Sequence, residues 1–162
     1  MAEDHLRERR FCDVLDGLAT ADSLDRPAAS RSLRFLTEEL DVHLSDEAED
    51  LFTLLERRCT EEDAIDSAIG RIRADQMEVI RLLPEVCAIL RGCLETGADL
   101  TADGRATLTR FAGHVRRRLV AENAILLPIA RARLTRADLR TLSRAMLSRR
   151  GLPDFPERTD AE

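Results

Sequence analysis

The sequence predicts an all-α fold, an up-down antiparallel four-helix bundle with a short additional C-terminal helix. Leu, Ala, Arg and Glu dominate the 162 residues, and only 7 Gly and 5 Pro are present to interrupt helices. Apolar residues recur at the three-four spacing of a buried helix face along four long segments. The second and fourth segments share one pattern, and the first and third share another more loosely. Two such helix pairs form a four-helix bundle.

The composition argues against several classes of protein. With 44% hydrophobic and 35% charged residues, the chain is typical of one soluble globular domain. Its net charge of −6 argues against a nucleic-acid partner. No apolar run suits a signal peptide or approaches the roughly 20 residues of a membrane span, so no membrane partner is expected. The 4 cysteines form no CxxC pair or disulfide framework, which predicts a cytoplasmic protein with buried thiols.

The first two helices are predicted over about residues 3–19 and 27–58. His5 falls on the inner face of the first helix. Glu8 lies beside it on the inner face, where it could hydrogen-bond to a metal ligand or be an extra ligand, but a solvated carboxylate is expected so near the helix start. Pro27 suits the first turn of the second helix because its fixed backbone angle is already helical.

The second helix carries an imidazole and a carboxylate on its buried face. His43 and Glu47 lie one turn apart and therefore share that face. The other residues of the face are apolar, namely Leu33, Leu36, Leu40, Leu51 and Leu54. An unpaired charge would be costly there. The two side chains are thus expected to pair with each other, to pair across the core, or to bind a metal.

The third helix is predicted over about residues 61–96, after a cap formed by residues 60–63. Its buried face is apolar except for Gln76. Pro84 removes one backbone hydrogen bond and should kink the helix, and Gly97 should end it.

The fourth helix, over about residues 103–134, also has polar residues on its buried face. Arg118 and Glu122 lie one turn apart there, and Pro128 should bend the helix after Glu122. The apolar residues that we expect to be most buried across the four helices are Leu36, Leu40, Leu51, Ile72, Leu83, Phe111, Val115 and Ile125.

A short basic fifth helix is predicted over about residues 135–150, and it is expected to dock on acidic helices of the same chain. The bundle domain then comprises residues 1–150. Residues 151–162 contain two prolines and several charges, which predicts a flexible C-terminal tail.

The order of these motifs resembles that of the hemerythrin-like HHE cation-binding family. A histidine begins the first helix, His43–Glu47 forms an HxxxE motif, and Arg118–Glu122 leads into Leu-Leu-Pro where the family has a second HxxxE. The resemblance covers about residues 4–133. It implies a four-helix bundle that holds two non-haem irons, with carboxylates bridging the metals and histidines at the outer sides. Members bind dioxygen or nitric oxide, sense iron or redox state, or show peroxidase-like chemistry.

The resemblance assigns metal-ligand roles to His5, His43, Glu47 and Glu122. Two other ligand positions of the family are altered, because Gln76 and Arg118 stand where it has histidines. Glutamine is a poor iron ligand, and arginine is no ligand at all. One half of the dimetal centre is therefore intact and the other half has lost its imidazoles.

Three interpretations of this altered centre remain open. A single iron could bind the four retained ligands. A metal-free core could instead form, in which the Arg118 guanidinium bridges the carboxylates and supplies the charge of the second metal. A complete dimetal site would need another ligand, such as His114, which lies beside the buried face rather than on it.

The functional expectation is a non-haem iron-binding protein that binds or senses dioxygen, nitric oxide, iron or redox state through a reduced metal site. The alternative is a metal-free helical bundle that acts as an interaction module, whose protein partner the sequence does not indicate. An enzymatic role as a diiron oxidoreductase is disfavoured, because two imidazoles are missing and the chain has 0 Tyr and 0 Trp to carry a radical.

Overall fold

The computed structural model describes residues 2–153, and this part of the chain is helical without any strand. Its five helices are α1 (Ala2–Thr20), α2 (residues 26–58), α3 (Ile65–Thr96), α4 (residues 102–133) and α5 (Arg136–Arg149). None of the described helices has the length and apolar character needed to cross a membrane. Residues 154–162 of the predicted tail lie outside the described residues.

Short polar side chains begin three of the five described helices. The Asp25 carboxylate accepts a hydrogen bond from the Ala28 amide at the start of α2, and the Thr101 hydroxyl accepts one from the Gly104 amide at the start of α4. Thr135 and Asp138 form a reciprocal capping box at the start of α5.

The third helix begins later than predicted. Thr60 and Asp63 do form a capping box, but it caps a single 3₁₀ turn over Glu61–Asp63. Ala64 then adopts a left-handed conformation with φ 47°, which a continuous α-helix cannot include. Helix α3 therefore begins at Ile65 and continues through Pro84 to Thr96.

Wide π-helical turns interrupt both helices that carry the HxxxE-like motifs. Helix α2 contains them at Leu36–Leu40 and Asp46–Leu51, and α4 contains one at Glu122–Leu126. A π turn adds a residue to the helix turn and shifts which later residues face the core. Such turns are frequent at functional sites, and two of these three lie next to the predicted metal ligands.

Six of the eight predicted core residues are buried, and two predictions are wrong. Ile125 is 38% exposed, because the π turn brings Leu126 to the inner face instead. Leu83 is only partly buried, because α3 turns Leu82 inward, three residues after Val79 rather than four.

Two apolar clusters fill the interior, one on each side of a polar layer. On α2, Leu40 belongs to the first cluster and Leu51 to the second, and His43 and Glu47 come between them. On α4, Val115 and Leu126 flank Arg118 and Glu122 in the same way. The helices pack side by side as expected of a helical bundle, with extensive contact between α1 and α4 and between α3 and α4.

Helix α5 docks on α2 of the same chain, as predicted. The Arg58 guanidinium donates two hydrogen bonds of 2.9 Å to the Asp138 carboxylate near the start of α5. At its other end, Arg149 contacts Asp46 and donates to Asp50 at 2.9 Å. The side chain of Leu142 between them joins the second apolar cluster.

Candidate metal centre

Six ionisable side chains meet in the polar layer, and all of them are buried. This polar cluster consists of His5 and Glu8 from α1, His43 and Glu47 from α2, and Arg118 and Glu122 from α4. None of the six residues is more than 4% exposed. The structure thus brings together the four predicted ligands and the altered position Arg118.

Both imidazoles of the cluster face one carboxylate oxygen. The Nε2 atoms of His5 and His43 lie 3.4 and 3.1 Å from Glu47 Oε1. His5 Nε2 is also 3.5 Å from Glu122 Oε2, and His43 Nε2 is 2.9 Å from Glu8 Oε1. The two rings are nearly perpendicular, with centroids 5.4 Å apart.

Several of these buried atoms approach each other without forming hydrogen bonds. His43 Nε2, Glu8 Oε1 and Glu122 Oε2 are near neighbouring polar atoms, but none has a hydrogen-bond partner within residues 2–153. Unsatisfied buried polar atoms are uncommon in folded proteins and call for a physical explanation. A metal ion bound between these side chains would provide such an explanation.

The buried Arg118 guanidinium contacts three carboxylates. Its Nη1 atom donates to Glu47 Oε2 and, over 3.0 Å, to Glu122 Oε1. Its Nη2 atom donates to Glu8 Oε2. The predicted bridge between Glu47 and Glu122 is therefore present in the structure. Charge-assisted bonds of this kind are the strongest that a guanidinium forms.

The expectation that Glu8 is solvated is wrong. Its side chain is 2% exposed and lies between Arg118 and His43. The beginning of α1 packs against α2 and α4 instead of fraying into solvent, so Glu8 is held in the core where these two basic groups stabilise its charge.

The neighbouring charges shift the pKa values of the cluster strongly. Burial alone would lower the pKa of His43, but the adjacent carboxylates Glu47 and Glu8 raise it to about 10. Burial opposes the ionised form of Glu47, yet Arg118 and the histidines hold its pKa well below the usual range. Burial and the adjacent Glu47 carboxylate instead raise the pKa of Glu122 well above its usual value.

These pKa shifts favour a polar cluster whose positive and negative charges balance without a metal. The carboxylates of Glu8 and Glu47 each contact both Arg118 and His43, and the raised pKa of Glu122 removes a further negative charge from the cluster. Hydrogen bonds and ion pairs then stabilise each buried charge, as a low-dielectric core requires.

The same residues also fit one metal ion. The ligand atoms of His5, His43 and Glu47 all lie within 4.8 Å of one another. Two atoms that each bind a metal at about 2.0–2.2 Å are about 2.9–3.5 Å apart at octahedral or tetrahedral angles. The four imidazole–carboxylate distances fall within that range. Imidazole and carboxylate ligands suit iron and other first-row transition metals.

The other altered position and the candidate extra ligand lie outside this arrangement. Gln76 is buried, but its Nε2 atom donates to the Leu44 carbonyl at 3.0 Å and so holds α3 against α2. His114 is half-buried, and its Nδ1 atom lies 2.8 Å from Asp75 Oδ1. The structure does not bring His114 to the polar cluster.

Sequence reasoning missed one further buried carboxylate next to the centre. Asp46 immediately precedes Glu47, and its side chain is fully buried beneath α5. Arg149 contacts one Asp46 oxygen, and Arg150 lies 2.7 Å from the other. Asp46 lies off the apolar stripe, and the only sequence signal for it was the pair of arginines that ends the fifth helix.

Comparison with known proteins identifies the family of this chain. A search of curated proteins and a search of solved structures found no match. A family model described as the hemerythrin HHE cation binding domain matches residues 1–130. The matched region contains every member of the polar cluster and ends before α5. The chain therefore belongs to the hemerythrin HHE cation-binding domain family.

Proposed function

We propose that this protein binds one non-haem iron ion at His5, His43 and Glu47, with Glu122 and Glu8 as further oxygen donors. The observation that carries the proposal is the convergence of both imidazole Nε2 atoms on Glu47 Oε1. In this proposal the Arg118 guanidinium takes the place and the charge of a second metal ion.

The charges of the side chains in the polar cluster favour the binding of a single divalent ion. The three carboxylates Glu8, Glu47 and Glu122 balance a divalent cation together with Arg118 once His43 and Glu122 have each released a proton. A second cation would leave the buried cluster with excess positive charge, and the guanidinium already contacts the carboxylates that would bridge two metals.

A bound iron supplies a position at which a small ligand such as dioxygen or nitric oxide binds. A cavity of about 380 Å³ lies beside the polar cluster, and Glu8 and His43 form part of its wall. It opens between α1, α2 and the end of α5, where Arg149 and Arg150 also line it. This opening gives a small molecule access to the polar cluster.

We also infer the up-down antiparallel arrangement of the first four helices. Contacts that support it pair the start of one helix with the later part of a neighbouring helix. His5 lies near Glu122, whereas Arg105 donates to the Ala19 carbonyl at the opposite ends of α1 and α4. Arg26 at the start of α2 likewise donates to the Cys93 carbonyl near the end of α3, at 3.1 Å.

The metal content of the purified full chain tests this proposal. We expect anaerobic addition of Fe²⁺ to saturate at one ion per chain, measured by elemental analysis after desalting. Nitric oxide added to the iron-loaded protein should produce a new visible absorption band. His43→Gln should lower the iron content by at least about tenfold at limiting Fe²⁺, because loss of even a residue that only supports a metal ligand costs about that much affinity.

His114→Gln is the matched control, since it removes an imidazole outside the cluster. It should bind iron as the parent does. An equal loss of iron in His43→Gln and His114→Gln would reject the proposed site, and so would a folded parent protein that binds no iron.

A metal-free interaction module is the second candidate function. One observation favours it, namely that Arg118 contacts three carboxylates and leaves a charge-balanced core without any metal. A parent protein that folds stably and retains no iron, zinc or manganese after titration would support this candidate.

A further inference from the structure

A second cavity, of about 230 Å³, lies between α1 and α2. Its wall includes three arginines, one serine and two phenylalanines, namely Arg10, Arg31, Arg34, Ser32, Phe11 and Phe35. It shares only Phe35 and Glu39 with the cavity beside the polar cluster, and no candidate metal ligand lines it. The proposed iron site leaves this cavity without a role.

The three arginines of the cavity have no anionic partner among the described residues. Other surface arginines of the chain form ion pairs, such as Arg7 with Glu39 at 3.0 Å and Arg116 with Asp16 at 2.6 Å. Within residues 2–153, no ion pair or hydrogen bond involves the side chains of Arg10, Arg31 or Arg34. A positive surface thus surrounds one cavity of a protein whose net charge is −6.

A buried hydroxyl in the same wall also lacks a partner. Ser32 is 2% exposed, and its Oγ atom has no hydrogen-bond partner in the described part of the chain. A helical serine ordinarily bonds to a carbonyl of the preceding turn or to water. Because an unsatisfied buried hydroxyl is costly, a ligand oxygen that accepts its proton would stabilise the site.

Two aromatic rings form the apolar part of the wall. The ring centroids of Phe11 and Phe35 lie 4.6 Å apart with a tilt of 30°. Val14 extends this surface and is 37% exposed. The cavity therefore combines a flat apolar wall with positive charge and a free hydroxyl, which are the features of a small-molecule site.

We propose that this cavity binds a small organic anion, whose head group is a phosphate or a carboxylate and whose body is an apolar ring. The guanidinium groups of Arg10, Arg31 and Arg34 bind the head group, because their planar donors match both kinds of oxyanion. The Ser32 hydroxyl donates to a head-group oxygen, and the ring of the ligand packs on Phe35. The size of the cavity limits the ligand to a single ring system.

Calorimetric titration of the full chain with phenyl phosphate, benzoate and phenol tests the proposal. At least one of the two anions should bind saturably, and about tenfold or more tightly than neutral phenol, as expected for charge-assisted hydrogen bonds. The anion that binds more tightly identifies the head group. Nuclear magnetic resonance should show shifts of the Ser32 amide and of the Phe11 and Phe35 rings on binding.

Matched variants assign the binding to this cavity. The triple change Arg10→Gln, Arg31→Gln and Arg34→Gln should weaken anion binding by about tenfold or more, whereas Ser32→Ala should weaken it less. Arg9→Gln removes one positive charge from an exposed residue of α1 outside the cavity and should leave the affinity within about twofold, whereas Arg10→Gln, which removes one positive charge from the cavity wall, should weaken it more.

Three outcomes would overturn the proposal. The first is that neither anion binds the folded parent saturably. The second is that a folded triple variant, verified by its helical circular dichroism, retains the parent affinity. The third is that inorganic phosphate binds as tightly as phenyl phosphate and benzoate, which would show that the aromatic wall contributes nothing.

Discussion

The Arg118 guanidinium donates a hydrogen bond to the Glu8 carboxylate, although the two residues are 110 positions apart in the chain. This contact joins α1 to α4 through the core. The same guanidinium also forms ion pairs with Glu47 and Glu122, so it contacts three carboxylates of the cluster. Removal of Arg118 would therefore leave more than one buried charge without its partner.

We expect Arg118→Met to destabilise the metal-free protein by about 3–5 kcal/mol, which is the usual cost of breaking a buried ion pair from one side. Urea unfolding at neutral pH, with metal content verified, measures the free energy of unfolding. Arg117→Met is the control, because the Arg117 side chain is 57% exposed and its ion pair with Asp75 should contribute about 1 kcal/mol or less. A change below about 0.5 kcal/mol for Arg118→Met would contradict its role.

The metal-free protein should lose stability as the pH rises, because the pKa of His43 is raised from 6.5 to about 10. A group whose pKa is raised by folding stabilises the fold fully at pH values below its pKa in the unfolded chain. This stabilisation is lost as the pH rises through its pKa in the folded protein. The free energy of unfolding should thus fall between about pH 6.5 and pH 10, and fall less in His43→Gln. A proton titration of the His43 ring by nuclear magnetic resonance measures the pKa directly.

Glu8→Gln is the informative variant for this measurement. It removes one of the two carboxylates that raise the pKa of His43, so the ring should titrate at lower pH. Glu3→Gln changes an exposed residue of the same helix and should leave the titration unchanged. Equal pKa values in the parent and Glu8→Gln would show that the contact between Glu8 and His43 does not stabilise the charge.

The sequence was sufficient to predict the positions that follow a regular helical repeat. His5, His43, Glu47, Arg118 and Glu122 all lie on the buried faces of their helices, and the structure brings them together. Helix periodicity succeeds here because four of these residues are one turn from a buried apolar neighbour, and His5 lies two turns before the buried Cys12 on the same face.

Features that break the helical repeat could not be predicted in this way. The π turn over Glu122–Leu126 shifts the inward position from Ile125 to Leu126, and such turns have no simple sequence signature. Glu8 and Asp46 are buried through contacts with residues far away in the chain, Arg118 and Arg149. Those contacts depend on how helices pack, which local spacing does not specify.

The contact between α5 and α2 should stabilise the fold through Asp46. A double-mutant cycle of Asp46→Asn and Arg149→Gln should give a coupling energy of about 1–3 kcal/mol, because the Asp46 carboxylate is fully buried. Urea unfolding of the four proteins of the cycle measures it. Glu49→Gln provides the comparison, since Glu49 pairs with the same arginine but is 66% exposed, and its coupling should be below about 0.5 kcal/mol. Equal coupling for the two carboxylates would contradict a special role of Asp46.

The second half of the dimetal centre should be restorable by two substitutions. Gln76→His and Arg118→His would supply two imidazoles at the altered positions and remove the guanidinium from between the carboxylates. Glu47 and Glu122 would then be free to bridge two ions, and the double variant should bind about two irons per chain. Elemental analysis and the visible spectrum in air, where a diiron centre absorbs, measure the result.

Each single substitution should fail to create a second iron site, and for a different reason. Gln76→His leaves the Arg118 guanidinium on the bridging carboxylates, while Arg118→His leaves the second ion one imidazole short and keeps the Gln76 hydrogen bond to the Leu44 carbonyl. Both should therefore bind one iron at most. A parent protein that already carries two irons would show that Arg118 is not a substitute for a metal charge. A folded double variant that binds none would show that the polar cluster is a structural core rather than a ligand set.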